Sequence, residues 1–280
     1  MTQPSGLKNL LRAAAGALPF VPRGDTLPDR TLTVDDLEID AANVAAYANV
    51  TGLQFGDTVP LTYPFALTFP SVMALVTGFD FPFAAMGSVH LENHITQYRP
   101  IAVTDTLGVA VHAENLREHR KGLLVDIVTD ISVGNENAWH QVTTFLHQQA
   151  TSLSDEPKPP PEKQPKLGPP NAVLRITPGQ IRHYASIGGD HNPIHTNPVA
   201  AKVFGFPTVI AHGMFTAAAV LANVEGQLPG AVKYSVRFAK PVVLPASAGL
   251  YVQRVDGGWE LNLRDLKKGE PHLKGTVSAL

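Results

Sequence analysis

The sequence predicts an α+β protein made of two halves, each a long buried helix wrapped by a curved antiparallel sheet. Three observations carry that expectation. Residues 32–150 and 171–280 follow one plan of helix, irregular loop, apolar segment and strands. Val44-Ala-Ala-Tyr47-Ala-Asn-Val-Thr-Gly52 is echoed by Ile181-Arg-His-Tyr184-Ala-Ser-Ile-Gly-Gly189 at an offset of 137, and Ile95–Pro100 by Val236–Pro241 at an offset of 141. Met214–Val224 is apolar almost all round, so it has to be enclosed, and a curved sheet encloses a helix.

The bulk numbers agree with a soluble globular chain. Of 280 residues, 44% are apolar and 16% charged, enough for a substantial core. A net charge of −2 without a long Lys/Arg run argues against a nucleic-acid partner. The absence of cysteine excludes disulfides, thiolate metal sites and cysteine nucleophiles; it is compatible with a reducing cytoplasm, the expected location. No stretch reaches the roughly 18–20 apolar residues of a membrane span.

Residues 1–31 read as an extension. Lys8 and Arg12 ahead of Ala13–Val21 faintly resemble a signal peptide, but Leu7, Leu10, Leu11, Ala14 and Leu18 keep helical spacing, which favours an amphipathic helix packed on the body. In the first half, Val, Ile, Thr and aromatic content predicts strands at Leu91–Arg99, Thr106–Ala113, Leu123–Ile131 and Ala138–His147. Val72–Val76 is the shorter counterpart of the buried helix, broken by Gly78. Residues 151–170 form a crossover linker; within it, Ser154–Pro170 holds seven prolines in seventeen residues and favours extended geometry. Strands follow at Val232–Phe238, Ala248–Arg254, Trp259–Leu263 and Leu273–Ser278, with a hairpin turn at Asp256-Gly257-Gly258.

The chemistry concentrates in Tyr184–Val220. Pro193 keeps the stretch from Asp190 to Ile194 out of an ordinary helix, and Gly188 and Gly189 allow a tight bend. Such a bend, with the carboxylate of Asp190 on one side and the imidazole of His195 on the other, can hold one water between two proton-transfer groups. The residues alone equally allow Asp190 as a turn cap and His195 as a structural histidine. His183, His191, His195 and His212, with Asp190 as a third type of ligand, raise a metal site, but Pro193 spoils the helical face that His191 and His195 would share.

The run Tyr-Ala-Ser-Ile-Gly-Gly-Asp190-His-Asn192-Pro-Ile-His195, with Ala200 five residues on and the Ala211-His212-Gly213-Met214 turn, resembles the signature of the MaoC-like, or hydratase 2, family. The whole chain, with its degenerate first half, resembles the mycobacterial 3-hydroxyacyl-thioester dehydratases. The resemblance implies a double hot-dog fold and a reversible (R)-3-hydroxyacyl-thioester dehydratase, equivalently a trans-2-enoyl-thioester hydratase, in fatty acid metabolism. It implies Asp190 and His195 as catalytic residues and no metal or redox cofactor. Gly213, just before the buried helix, would offer its N–H to the thioester carbonyl; a glycine needed only for a turn is the plainer reading. Asn192, Gly189 and His212 are expected to support the site.

At an offset of 137, Asp190 falls on Leu53 and His195 on Thr58, so one site per chain is expected. The apolar residues around Phe65–Phe83 either line an acyl tunnel or fill core. The carrier is coenzyme A or acyl carrier protein, met by Arg182, Lys202, Lys233, Arg237 and Lys240 if these are more than solvated surface. Monomer and homodimer both stay open. A hot-dog acyl-thioesterase and a non-catalytic acyl-thioester-binding module are the rival readings.

Overall fold

The computed structural model describes residues 23–85, 87–158, 160 and 168–280. The expected N-terminal helix at Leu7–Leu18 lies outside them, as does much of the proline-rich segment.

Among the described residues, ten strands form one antiparallel sheet. In the first half they are β1 (Leu32–Glu38), β2 (Ser88–Gln97), β3 (Thr106–His119), β4 (Gly122–Val133) and β5 (Glu136–Gln148). In the second they are β6 (Ala172–Ile176), β7 (Val232–Phe238), β8 (Ala246–Val255), β9 (Gly258–Asp265) and β10 (Pro271–Ala279). The spatial order is β1-β3-β4-β5-β2-β7-β10-β9-β8-β6, the same reading from either edge if each half is numbered from its own start. β2 and β7 join the halves. In that pairing His94 faces Ser235, 141 positions away, so the offset read from the sequence marks the local two-fold between the halves.

Among the described residues, six α-helices accompany the sheet: α1 (Ala41–Thr51), α2 (Tyr63–Val76), α3 (Pro178–Gly188), α4 (Pro193–Thr196), α5 (Pro198–Val203) and α6 (Gly213–Leu221). Their ends are written in the sequence. Asp40 accepts the Ala42 N–H at 2.8 Å to start α1, and Gly52 stops it in the left-handed region (φ 82°). Thr177 and Gln180 form a capping box at the start of α3, and Gly189 (φ 73°) ends it. α1 and α3 are thus related by 137 positions at both ends, and their equivalent rings, Tyr47 and Tyr184, meet at 5.8 Å.

All eight expected strands form, mostly one to six residues longer than local composition indicates, because a strand continues wherever its neighbour offers a ladder. β1 and β6 were not anticipated. They are edge strands; β1 is rich in acidic residues and irregular at Asp36 (φ 53°), and β6 is only five residues long with four of them apolar, so its alternating burial does not show in the residue types. Two expectations about helices are corrected. The first-half counterpart is not the short Val72–Val76 but the 14-residue α2, longer than the 9-residue α6. Pro64 is tolerated in its first turn and Pro70 inside it, and this proline content obscured the helix in the sequence. α6 ends at Leu221 and not at Val224, passing into a short 3-10 turn.

The core is continuous through both halves and includes Tyr47, Tyr63, Leu75, Trp139, Leu221 and Tyr234. A cavity between α2, α3, α6 and the β2–β7 seam interrupts that packing.

Candidate active site

The cavity measures about 410 Å³. Asp190, Asn192, His195, His212 and Gly213 line it from the second half, and Phe65, Phe69, Met73, Val76 and Phe83 from the first. Of the apolar residues that sequence left between tunnel and core, Phe65, Phe69, Val76 and Phe83 are buried and also line the cavity, whereas Val72, Leu75 and Phe81 are buried away from it and Phe79 is exposed.

The bend after Gly189 is built from its own backbone. Asp190 Oδ1 accepts the Asn192 N–H at 3.2 Å, and Asn192 Oδ1 accepts the Ile194 N–H at 3.3 Å, capping α4. Asn192 thus serves the turn. α4 then carries His195 into the interior, where Nδ1 lies 2.9 Å from the Ile210 carbonyl oxygen. A carbonyl accepts only, so Nδ1 holds the proton and Nε2 presents a lone pair. Burial lowers the His195 pKa below the ordinary 6.5, with the Asp190 charge opposing it, so the ring is neutral.

His212 ties these parts together. Its Nε2 donates to the Asp190 carbonyl oxygen at 3.0 Å and lies 3.6 Å from Asp190 Oδ2. Its ring lies 3.7 Å from that of His195, centroid to centroid, and 5.2 Å from Tyr184. Burial, with His195 alongside, holds its pKa well below 6.5. Tyr184 is buried and also reaches the cavity wall.

Donor atoms of Asp190, His195 and His212 lie within 4.8 Å of one another, a spacing that would admit a metal. The hydrogen-bond pattern speaks against this donor set. The His212 nitrogen nearest the carboxylate carries a proton given to the Asp190 carbonyl, so it faces the site as a donor and not as a ligand. His183 and His191 are exposed and lie outside this donor cluster, although His191 lines the cavity.

Gly213 opens α6, and His212 precedes it without any side-chain cap, so the first N–H groups of the helix are left to the cavity. A Cβ at Gly213 would stand 3.1 Å from the Phe238 ring. A side chain there would press on that ring and require it to shift by a few tenths of an ångström, so the glycine leaves a slot beside Phe238 on a wall that Asp190 and His195 also line.

Two contributors escaped sequence reasoning. His90, on β2, lines the cavity with its ring 5.8 Å from Phe65, 5.2 Å from Phe145 and 4.8 Å from Phe238. Burial pushes its pKa down to about 3 against the raising effects of the Glu92 carbonyl and Asp190. Lys121 lines the rim from the β3–β4 turn. Neither lies near the motif, and a lone histidine in a strand gives no signal. Of the five cations named from sequence, Lys240 alone lines the cavity; Arg182, Lys202, Lys233 and Arg237 are exposed elsewhere, Arg237 beside Glu92 at 3.4 Å.

A family model, described as a MaoC like domain, matches residues 158–274. The chain is 78% identical to 3-hydroxyacyl-thioester dehydratase X of Mycobacterium tuberculosis over the full length of both. It is 26% identical to the peroxisomal enoyl-CoA hydratase 2 of Arabidopsis thaliana over 57% of each chain. The crystal structure of HtdX of Mycobacterium tuberculosis superposes with a TM-score of 0.82 at 72% identity, covering 90% of this chain and 100% of that one. A MaoC-like dehydratase of Phytophthora capsici shares the fold, with a TM-score of 0.73 at 19% identity over 91% of this chain and 96% of that one.

Proposed function

Because this chain belongs to the MaoC-like 3-hydroxyacyl-thioester dehydratases, we propose that it is a hydro-lyase interconverting (R)-3-hydroxyacyl and trans-2-enoyl thioesters in fatty acid metabolism. The observation that carries the residue roles is the arrangement of Asp190 and a neutral His195 at the wall of one cavity, with Nε2 of His195 left as a free acceptor.

In the hydration direction a water sits between the Asp190 carboxylate and His195 Nε2. The carboxylate accepts one of its hydrogens and orients the oxygen toward C3. His195 removes a proton as the C3–O bond forms, and returns a proton to C2 as the enolate collapses. Negative charge develops meanwhile on the thioester oxygen, which the Gly213 N–H and the positive end of α6 stabilise; one such donor contributes roughly 3–4 kcal/mol to the barrier. Asn192 and Gly189 hold the bend, and His212 fixes the Asp190 backbone and supports the His195 ring. The acyl chain follows the α2 face, Phe65, Phe69, Met73 and Val76, into the first half.

The test is hydration of a trans-2-enoyl-CoA, followed as loss of the conjugated thioester absorbance. Asp190→Asn and His195→Ala are each expected to lower kcat by roughly 10²–10⁴-fold while the far-ultraviolet circular dichroism is unchanged. Activity within a few-fold of the parent in both variants would remove the pair from the mechanism. Thiol release without a 3-hydroxyacyl product would point to the thioesterase reading instead.

A further inference from the structure

His90 sits where the mechanism above leaves a polar atom without a task. β2 is irregular there: His90 pairs with Phe145 and Glu92 with Thr144, so Leu91 is an extra residue in the ladder. A bulge of this kind re-aims a side chain, and His90 and Leu91 both face the cavity in consequence. The corresponding stretch of β7 pairs with β10 without a break. His90 Nε2 lies 3.0 Å from the Glu92 carbonyl oxygen and a longer 3.4 Å from Asn93 Nδ2. The shorter bond puts the proton on Nε2, and Nδ1 is left as an acceptor on a cavity-facing ring.

The position along the cavity identifies what that acceptor meets. The Phe238 ring touches the Gly213 slot on one side and the His90 ring on the other. From His90 the strand runs back two residues, about 7 Å, to Ser88. Ser88 pairs with His147, and beside it Gly122 pairs with Gln148, so the rim at this end carries Lys121 and Gln148, with Lys240 and His272 from the second half. The α2 wall, which meets the His90 ring at Phe65, is apolar and suits an alkyl chain. The β2 wall is half polar and ends near Lys121 and Lys240, the latter paired with Glu270, which suits a chain carrying amides and terminating in phosphate.

We propose that His90 is a substrate-contacting specificity residue whose Nδ1 accepts a hydrogen bond from the amide N–H nearest the sulfur on the pantetheine arm, the group shared by coenzyme A and acyl carrier protein. That amide stands two methylenes beyond the sulfur, on the rim side of the Gly213 slot. A thioester without the amide leaves the buried acceptor unmatched, and the degenerate half thereby reads the carrier although it has no catalytic group of its own. This rests on the hydratase reading.

The probes are trans-2-hexenoyl thioesters of N-acetylcysteamine, which keeps the amide, and of n-pentanethiol, which replaces it with methylenes. The parent is expected to prefer the amide by about five- to tenfold in kcat/KM, the worth of one neutral hydrogen bond. His90→Leu should narrow the preference to within about twofold, with the pentyl thioester nearly unaffected, and His90→Gln should restore part of it. Equal loss on both thioesters in His90→Leu would overturn the proposal, as would a parent with no preference, which needs no variant to fold. A parent that hydrates neither thioester would overturn it together with the function on which it rests.

Discussion

His195 and His212 are buried as neutral rings, and their burial makes acid sensitivity a property of the site itself. Folded, both bind a proton less readily than in the unfolded chain, where the ordinary value is 6.5. As pH falls below about 6.5 the unfolded state takes up protons that the folded state refuses, so stability is complete above that value and declines below it. Urea midpoints measured from pH 7.5 down to 5 should therefore fall, each histidine adding a slope that approaches about 1.4 kcal/mol per pH unit. His212→Phe, which keeps a ring against His195, should reduce the slope. A parent midpoint that is flat across this range would contradict the burial of neutral imidazoles.

Helix ends set the geometry that the side chains use. α3 stops at Gly188–Gly189, and a Cβ on Gly188 would lie 3.2 Å from the Ala66 Cβ on α2. No flexible side chain is there to yield, so α3 approaches α2 this closely only because position 188 is glycine. Gly188→Val should destabilise the protein by about 1–3 kcal/mol, as overpacking does, and should lower turnover by shifting the bend that starts one residue later. A urea midpoint equal to that of the parent would show that the two helices part without cost. Of the residues that end helices, the sequence reading singled out the Gly188–Gly189 bend, while the caps at Asp40, Gly52, Thr177 and Gln180, each acting over a few residues, came to light with the structure. The α2 helix was not readable, because Pro64 and Pro70 argue locally against a helix that tertiary burial of Phe65, Phe69, Val72 and Leu75 stabilises anyway.

Across the molecule, the two halves divide the work. We read residues 32–150 as the half that supplies the cavity wall and residues 171–280 as the half that supplies the reacting groups; Leu53, following left-handed Gly52, stands where Asp190 follows Gly189. If the α2 face receives the acyl chain, filling it discriminates by length. Met73→Trp is expected to lower kcat/KM for a twelve-carbon enoyl thioester by roughly tenfold or more while a four-carbon substrate stays within about twofold, the range over which an apolar pocket distinguishes chain lengths. Equal effects on both substrates would place the chain elsewhere. Among the described residues no helix is long and apolar enough to cross a membrane.

The sequence by itself determined the α+β class and the family, and it pointed to a doubled plan and to the roles proposed for Asp190, His195 and Gly213, because each is carried by a contiguous signal: a motif, a glycine bend, an offset repeated in order. Tertiary structure alone decided that His212 stacks on His195, that Phe65, Phe69, Val76 and Phe83 open onto the same cavity, and that His90 joins them from the other half. His212 is only 17 positions from His195, but His90 and the α2 residues come within reach of them only when β2 pairs with β7 and α2 packs against α3, and contacts between segments about a hundred or more positions apart leave no mark on the composition of either.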